Sequence, residues 1–207
     1  MKEIFYDWGG ANLGLFHAIN NVHSDVLDRF MLAGTALGSH ANFPLYLALV
    51  ASVGFIVCSR DTERDTLWRW LGVLTVFSLA YVLNGWLLGW LKPLLDFPRP
   101  LLALPLGTVH VVGTPEYHHS LPSGHSAFAM LVVASLWPLL QGWKRLLGVA
   151  FVVWVGISRV SLGAHFPADV LAGFLSSLLL VVLVRWTLLS IAAKAIAQAG
   201  TQPVSTN

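Results

Sequence analysis

Three short stretches of this chain gather cations, histidines and one carboxylate within an otherwise apolar sequence. The first holds Lys92 and, after six intervening residues, Arg99-Pro100; the second reads Pro122-Ser123-Gly124-His125; the third runs Ser158-Arg159, then His165 and Asp169. Two guanidiniums and an ammonium make an oxyanion clamp, because guanidinium donates in bidentate fashion and ammonium adds a point charge. Ser123 and Gly124 at a helix N-terminus let backbone N–H groups approach an anion closely, and the helix dipole favours negative charge there. Phosphate is the anion expected. His165 and Asp169 are four residues apart, so a helical start to the last segment puts them on one face, where the carboxylate holds the imidazole in one tautomer. Such an imidazole suits a nucleophile or a base. His125 comes from a different stretch and can give a proton to a leaving oxygen. Two histidines in separate roles describe phosphoryl transfer that needs no metal and no cofactor.

A scaffold must hold these stretches at one level, and charge-free runs supply it. The chain has 207 residues, 56% hydrophobic and 11% charged, with a mean hydropathy of +0.71. Soluble domains carry about a quarter charged residues, so the class expected is an all-α, polytopic membrane bundle in a single domain. Crossing the hydrocarbon takes about 20 apolar residues. Five runs qualify as spans: 41–58, 71–91, 126–141, 146–163 and 168–184, the third extended if Gly124-His125 are helical. Residues 1–40 mix Asp7, Asp25, Asp28 and Arg29 with apolar positions and read as helices lying in the interface, without a cleaved signal peptide. The bundle is expected over 41–190 and a cytoplasmic tail over 191–207. Arg60, Arg64, Arg69, Lys144, Arg145, Arg185 and Lys194 fall on one side of five spans, which the positive-inside rule makes cytoplasmic. The connection 93–122 and all three stretches then lie at the outer face. Gly85 and Gly89 have GxxxG spacing, read as a contact between helices of the same chain. A single cysteine, Cys58, excludes an internal disulfide and a cysteine-held metal, and a net charge of +2 excludes a nucleic-acid surface.

Taken in order and with this spacing, the three stretches resemble the three-part signature of the type 2 phosphatidic acid phosphatase superfamily, closely over 92–169 and in outline elsewhere. The resemblance implies a helical bundle that hydrolyses phosphate esters without metal through a phosphohistidine on His165. Asp169 would orient that histidine, His125 would be the general acid, and Lys92, Arg99, Ser123, Gly124 and Arg159 would hold the phosphoryl oxygens. Membrane members of the family commonly have six spans, against five plus an interfacial region counted here. Tyr117, His118 and His119 fit no part of the signature and are candidate substrate contacts in the outer loop.

The function expected is a membrane phosphatase acting on a lipid phosphate monoester or diphosphate, its chains left in the bilayer. The setting expected is a bacterial inner membrane with the site facing the periplasm or exterior. Phosphatidylglycerophosphate, phosphatidic acid, undecaprenyl diphosphate and a lipid A phosphate all present a phosphoryl group beside long apolar chains. No obligate protein partner is implied. A phosphotransferase would use the same residues. A non-catalytic lipid binder or transporter would keep the cations but would not need the His165–Asp169 pair. Bis-histidine haem fails on placement, because apart from His125 and His165 the histidines lie in the N-terminal region or the loop.

Overall fold

Apolar runs of this sequence become helices whose ends are set by local chemistry. The computed structural model describes residues 6–61 and 63–199 and contains no β-strand among them. Helix α1 spans Ala11–Asn20 and α2 spans Asp25–Leu37, where the Ser24 hydroxyl caps the first turn by accepting from the Leu27 amide at 3.3 Å. Helix α3 is Phe43–Arg60 and α4 is Arg64–Leu95, the latter with Pro93 in its last turn and Asp96 closing it at φ 39°. Helix α5, Gly124–Leu136, runs into one 3₁₀ turn, Trp137–Leu139; α6 is Trp143–Ser161; α7, Pro167–Ala199, starts on a proline.

The helical class holds, but the spans differ from the charge-free runs. His40–Arg60, Arg64–Ala103 and Pro167–Gln198 are each long and apolar enough to cross a membrane. Helix α5 ends before Gln141, because Pro138 supplies no amide and Gly142 turns the chain at φ 51°. Helix α7 runs far past Val184: Ala192, Ala193, Ala195 and Ala197 are strong helix formers. The start of the expected tail is therefore helix, and residues 200–207 lie outside the described residues.

Phe77 of α4, Phe128 and Leu131 of α5 and Val181 of α7 are buried together and form the centre of the bundle. Close approach matters more than apolarity here, since lipid competes for apolar side chains. A Cβ on Gly173 of α7 would lie 2.5 Å from the Ser123 carbonyl, so this glycine lets α7 cross the start of α5. The Ser177 hydroxyl donates to Asn84 Oδ1 at 3.0 Å between α7 and α4. At the opposite end, Arg185 Nη2 donates to the Ala134 and Ser135 carbonyls at 2.9 and 3.0 Å, pairing oxygens that the end of α5 leaves open.

Two readings of the sequence need correction. Gly85 and Gly89 make no helix contact: a Cβ on either would meet nothing within 4 Å, and both line a cavity instead. The N-terminal region, expected to lie in the interface, packs onto the bundle. Phe30 of α2 stacks on Trp154 of α6 at 4.7 Å, and Phe16 of α1 is buried among Val160, Phe166 and Val170. Residues 1–5 lie outside the described residues.

Candidate active site

Four helix ends meet around one cavity: the C-termini of α4 and α6 and the N-termini of α5 and α7. Its volume is about 770 Å³, and Lys92, Arg99, Gly124, His125, Arg159 and His165 line it together with His40 and Glu116. The third stretch is built by a tight turn. Gly163, at φ 71°, has no room for a side chain because a Cβ would run into the His110 carbonyl, and the amides of Ala164 and His165 fold back onto the Arg159 carbonyl at 3.0 and 3.1 Å. Asp169, in the first turn of α7, accepts from the Phe166 amide at 2.9 Å, the side-chain half of a capping box. That bond fixes the carboxylate beside His165.

His165 is 1% exposed and Asp169 is fully buried. Their shared-face geometry forms as the spacing predicts, with His165 Nδ1 3.3 Å from Asp169 Oδ2. On the other side of the ring, Nε2 lies 3.3 Å from Arg99 Nη1. A guanidinium can only donate, so Nε2 is the accepting nitrogen and the proton sits on Nδ1, toward Asp169. Burial, the dominant influence, pushes the His165 pKa down to about 4 against the opposing pull of Asp169. The imidazole is therefore neutral at pH 7, with a lone pair aimed at the arginine.

The three cations reach the cavity with different supports. Arg99 is 6% exposed; its Nε donates to the His118 carbonyl at 2.9 Å and its Nη1 pairs with the Glu116 carboxylate. Arg159, 8% exposed, donates from Nη1 to the Thr35 hydroxyl at 2.7 Å, while its buried Nε has no hydrogen-bond partner among the described residues. Lys92 and His40 both flank Gly124: a Cβ there would come within 4.0 Å of Lys92 Nζ and 3.1 Å of the His40 ring. Ser123 is fully buried, its amide donating to the Asp169 carbonyl at 2.9 Å. The first turn of α5 thus opens onto the cations, with its next amides free of helix partners.

All eight residues expected to do chemistry come together here. Tyr117, His118 and His119 line the same cavity, although their backbone does much of the visible work: the Tyr117 carbonyl accepts from the Arg99 amide at 2.8 Å. The rings of His118 and His119 sit 3.4 and 3.2 Å from Asp96. Sequence reasoning missed Tyr6, whose hydroxyl donates to Asp169 Oδ1 at 2.8 Å, and Ser120, whose hydroxyl donates to Asp169 Oδ2 at 2.5 Å. It also missed Thr35 and His40. None of these four carries a local spacing signal; each reaches the site through the fold.

Comparison with known proteins agrees with this geometry. A family model described as PAP2 superfamily matches residues 71–191. Phosphatidylglycerophosphatase B of Bacillus subtilis (strain 168) is 36% identical over 170 residues, covering 77% of this chain and 74% of the relative. The crystal structure of Aquifex aeolicus LpxE superposes with a TM-score of 0.68 at 28% identity, over 84% of this chain and 94% of that one. A crystal structure of a transmembrane PAP2-type phosphatidylglycerolphosphate phosphatase from Bacillus subtilis gives 0.61 at 30% identity, over 88% and 87%. With a match over more than half its length, membrane-length helices and relatives that share its fold, this chain is an integral membrane protein belonging to the PAP2 superfamily.

Proposed function

We propose that this protein is a lipid phosphate phosphatase that works through a phosphohistidine on His165, without metal. One observation carries the reading: a buried neutral imidazole, protonated toward Asp169, presents Nε2 to a cavity rimmed by Lys92, Arg99 and Arg159. A phosphoryl group in that cavity takes its hydrogen bonds from these cations and from the first turn of α5 at Ser123 and Gly124. Nε2 attacks phosphorus and the bond to the leaving oxygen breaks. His125 gives that oxygen its proton. Water then attacks phosphorus, His125 takes the water's proton, and the P–N bond returns its electron pair to His165. Charge neutralisation falls to the three cations.

The outer-face reading rests on the fold. The site occupies the end of the bundle opposite Arg60, Arg64, Lys144 and Arg145, which sit at the other ends of α3, α4 and α6. By the positive-inside rule that basic end is cytoplasmic, so the cavity opens to the periplasm or exterior of a bacterial inner membrane. On this reading α3 to α7 make a five-span bundle over 41–190. Relatives named for phosphatidylglycerophosphate favour a glycerophospholipid phosphate as substrate. The test is release of inorganic phosphate, in detergent and excess EDTA, from phosphatidylglycerophosphate, phosphatidic acid, undecaprenyl diphosphate and a lipid A phosphate. Release that persists in EDTA and is inhibited competitively by vanadate is expected. Activity lost to EDTA and restored by magnesium or zinc contradicts the mechanism; binding without release favours the transport reading.

A further inference from the structure

The family match begins at residue 71, yet the turn that carries Arg159, His165 and Asp169 is gripped at four points by side chains from before residue 36. Asn20 donates to the Ser161 carbonyl at 2.9 Å, and Asn12 Oδ1 accepts from the Ala168 amide at 2.9 Å. Both asparagines are buried and serve backbone alone. The other two grips fall on site residues: Tyr6 donates to Asp169 Oδ1 at 2.8 Å, and Thr35 accepts from Arg159 Nη1 at 2.7 Å.

We propose that the N-terminal region completes the active site, with Tyr6 and Thr35 as positioning residues for Asp169 and Arg159. The inference rests on the phosphatase reading above. Asp169 uses Oδ2 for Phe166, Ser120 and His165, so Tyr6 occupies its other oxygen and prevents the carboxylate from rotating away from the imidazole. Burial and the adjacent carboxylate raise the Tyr6 pKa, so the hydroxyl stays protonated and remains a donor. The ring itself is fixed by Phe97 and Phe166, with centroids at 4.6 and 5.9 Å. Donation by Tyr6 also draws charge from Asp169 and weakens its hold on an imidazolium at His165. Arg159 and Arg99, and His125 when protonated, disfavour the imidazolium as well. On Arg159, Nη1 is tied to Thr35 while the residue lines the cavity together with His125 and Glu116.

The two residues predict separable effects. With purified full-length protein and dioctanoyl phosphatidic acid or phosphatidylglycerophosphate as probes, Tyr6→Phe keeps the ring contacts and removes only the donor. Its kcat falls roughly tenfold with KM little changed, and the acid limb of the pH profile moves up by about one unit, because Asp169 regains charge for the His165 imidazolium. Thr35→Val leaves that limb in place but raises the inhibition constant of vanadate by about tenfold, and Thr35→Ser restores it. Thermal melting follows folding of each variant, and the Thr35 pair decides if Tyr6→Phe does not fold. An active wild type beside a Tyr6→Phe enzyme with wild-type kcat and an unmoved acid limb, or beside a Thr35→Val enzyme with wild-type vanadate inhibition, overturns the inference alone. A wild type that releases no phosphate from either probe overturns the phosphatase reading and this inference with it.

Discussion

At His165 two opposed demands meet in one ring: Nδ1 must keep its proton against Asp169 while Nε2 stays bare beside Arg99. Burial settles the balance toward the neutral form, with a pKa of about 4 against an ordinary 6.5. The sign follows directly. Activity of the free enzyme is present above that value and is lost as pH falls through it, so the acid limb of kcat/KM lies well below pH 6.5. A pH profile from 4 to 9 measures this, and an acid limb at or above 6.5 contradicts it. The same lowered pKa makes the folded state less stable as pH falls from 6.5 toward 4, since the unfolded chain binds the proton first. Every one of these catalytic candidates was legible in the sequence because its type and spacing are local. Their supports were not: Tyr6 meets Asp169 across 163 residues and Thr35 meets Arg159 across 124, and no short-range pattern marks a lone tyrosine or threonine as a partner.

Elements place these residues through close crossings. Gly173 allows α7 to pass against the Ser123 carbonyl, which also brings the Ser123 amide onto the Asp169 carbonyl at 2.9 Å. Gly173→Ala forces the second and third stretches apart and is expected to cost about 1–3 kcal/mol of stability, with a larger proportional loss in kcat/KM than at a bundle position away from the site. Thermal melting and kinetics on the same preparation check both, and a variant with wild-type stability and rate removes this crossing from the account. Helix type was readable from the charge-free runs, whereas helix ends were not. Pro93 falls inside α4, two residues before its end, and alanines carry α7 to Ala199. The GxxxG pair shows the same limit from the other side, since spacing alone gives the distance between glycines and not what lies opposite them. Here the cavity does.

For the whole molecule, the claim is orientation. With the seven basic residues assigned to the cytoplasmic side, the proposed orientation puts residues 93–122 outside and the C-terminus in the cytoplasm. Cysteine introduced at Gly113 is expected to react with an impermeant maleimide in intact cells or spheroplasts, and cysteine at Gln202 is not. The reverse pattern moves the chemistry to the cytoplasmic face. Central to the account, however, is the covalent step, and one measurement reaches it directly. Purified protein is mixed with a labelled lipid phosphate, quenched in base within the first turnover and mapped by mass spectrometry. The expected result is a phosphoryl group on His165 in the wild type, stronger in His125→Ala with a good leaving group and absent from His165→Ala, which also loses turnover far more than substrate affinity. Phosphate on another residue, or lipid phosphatase activity that survives intact in His165→Ala, would contradict the account.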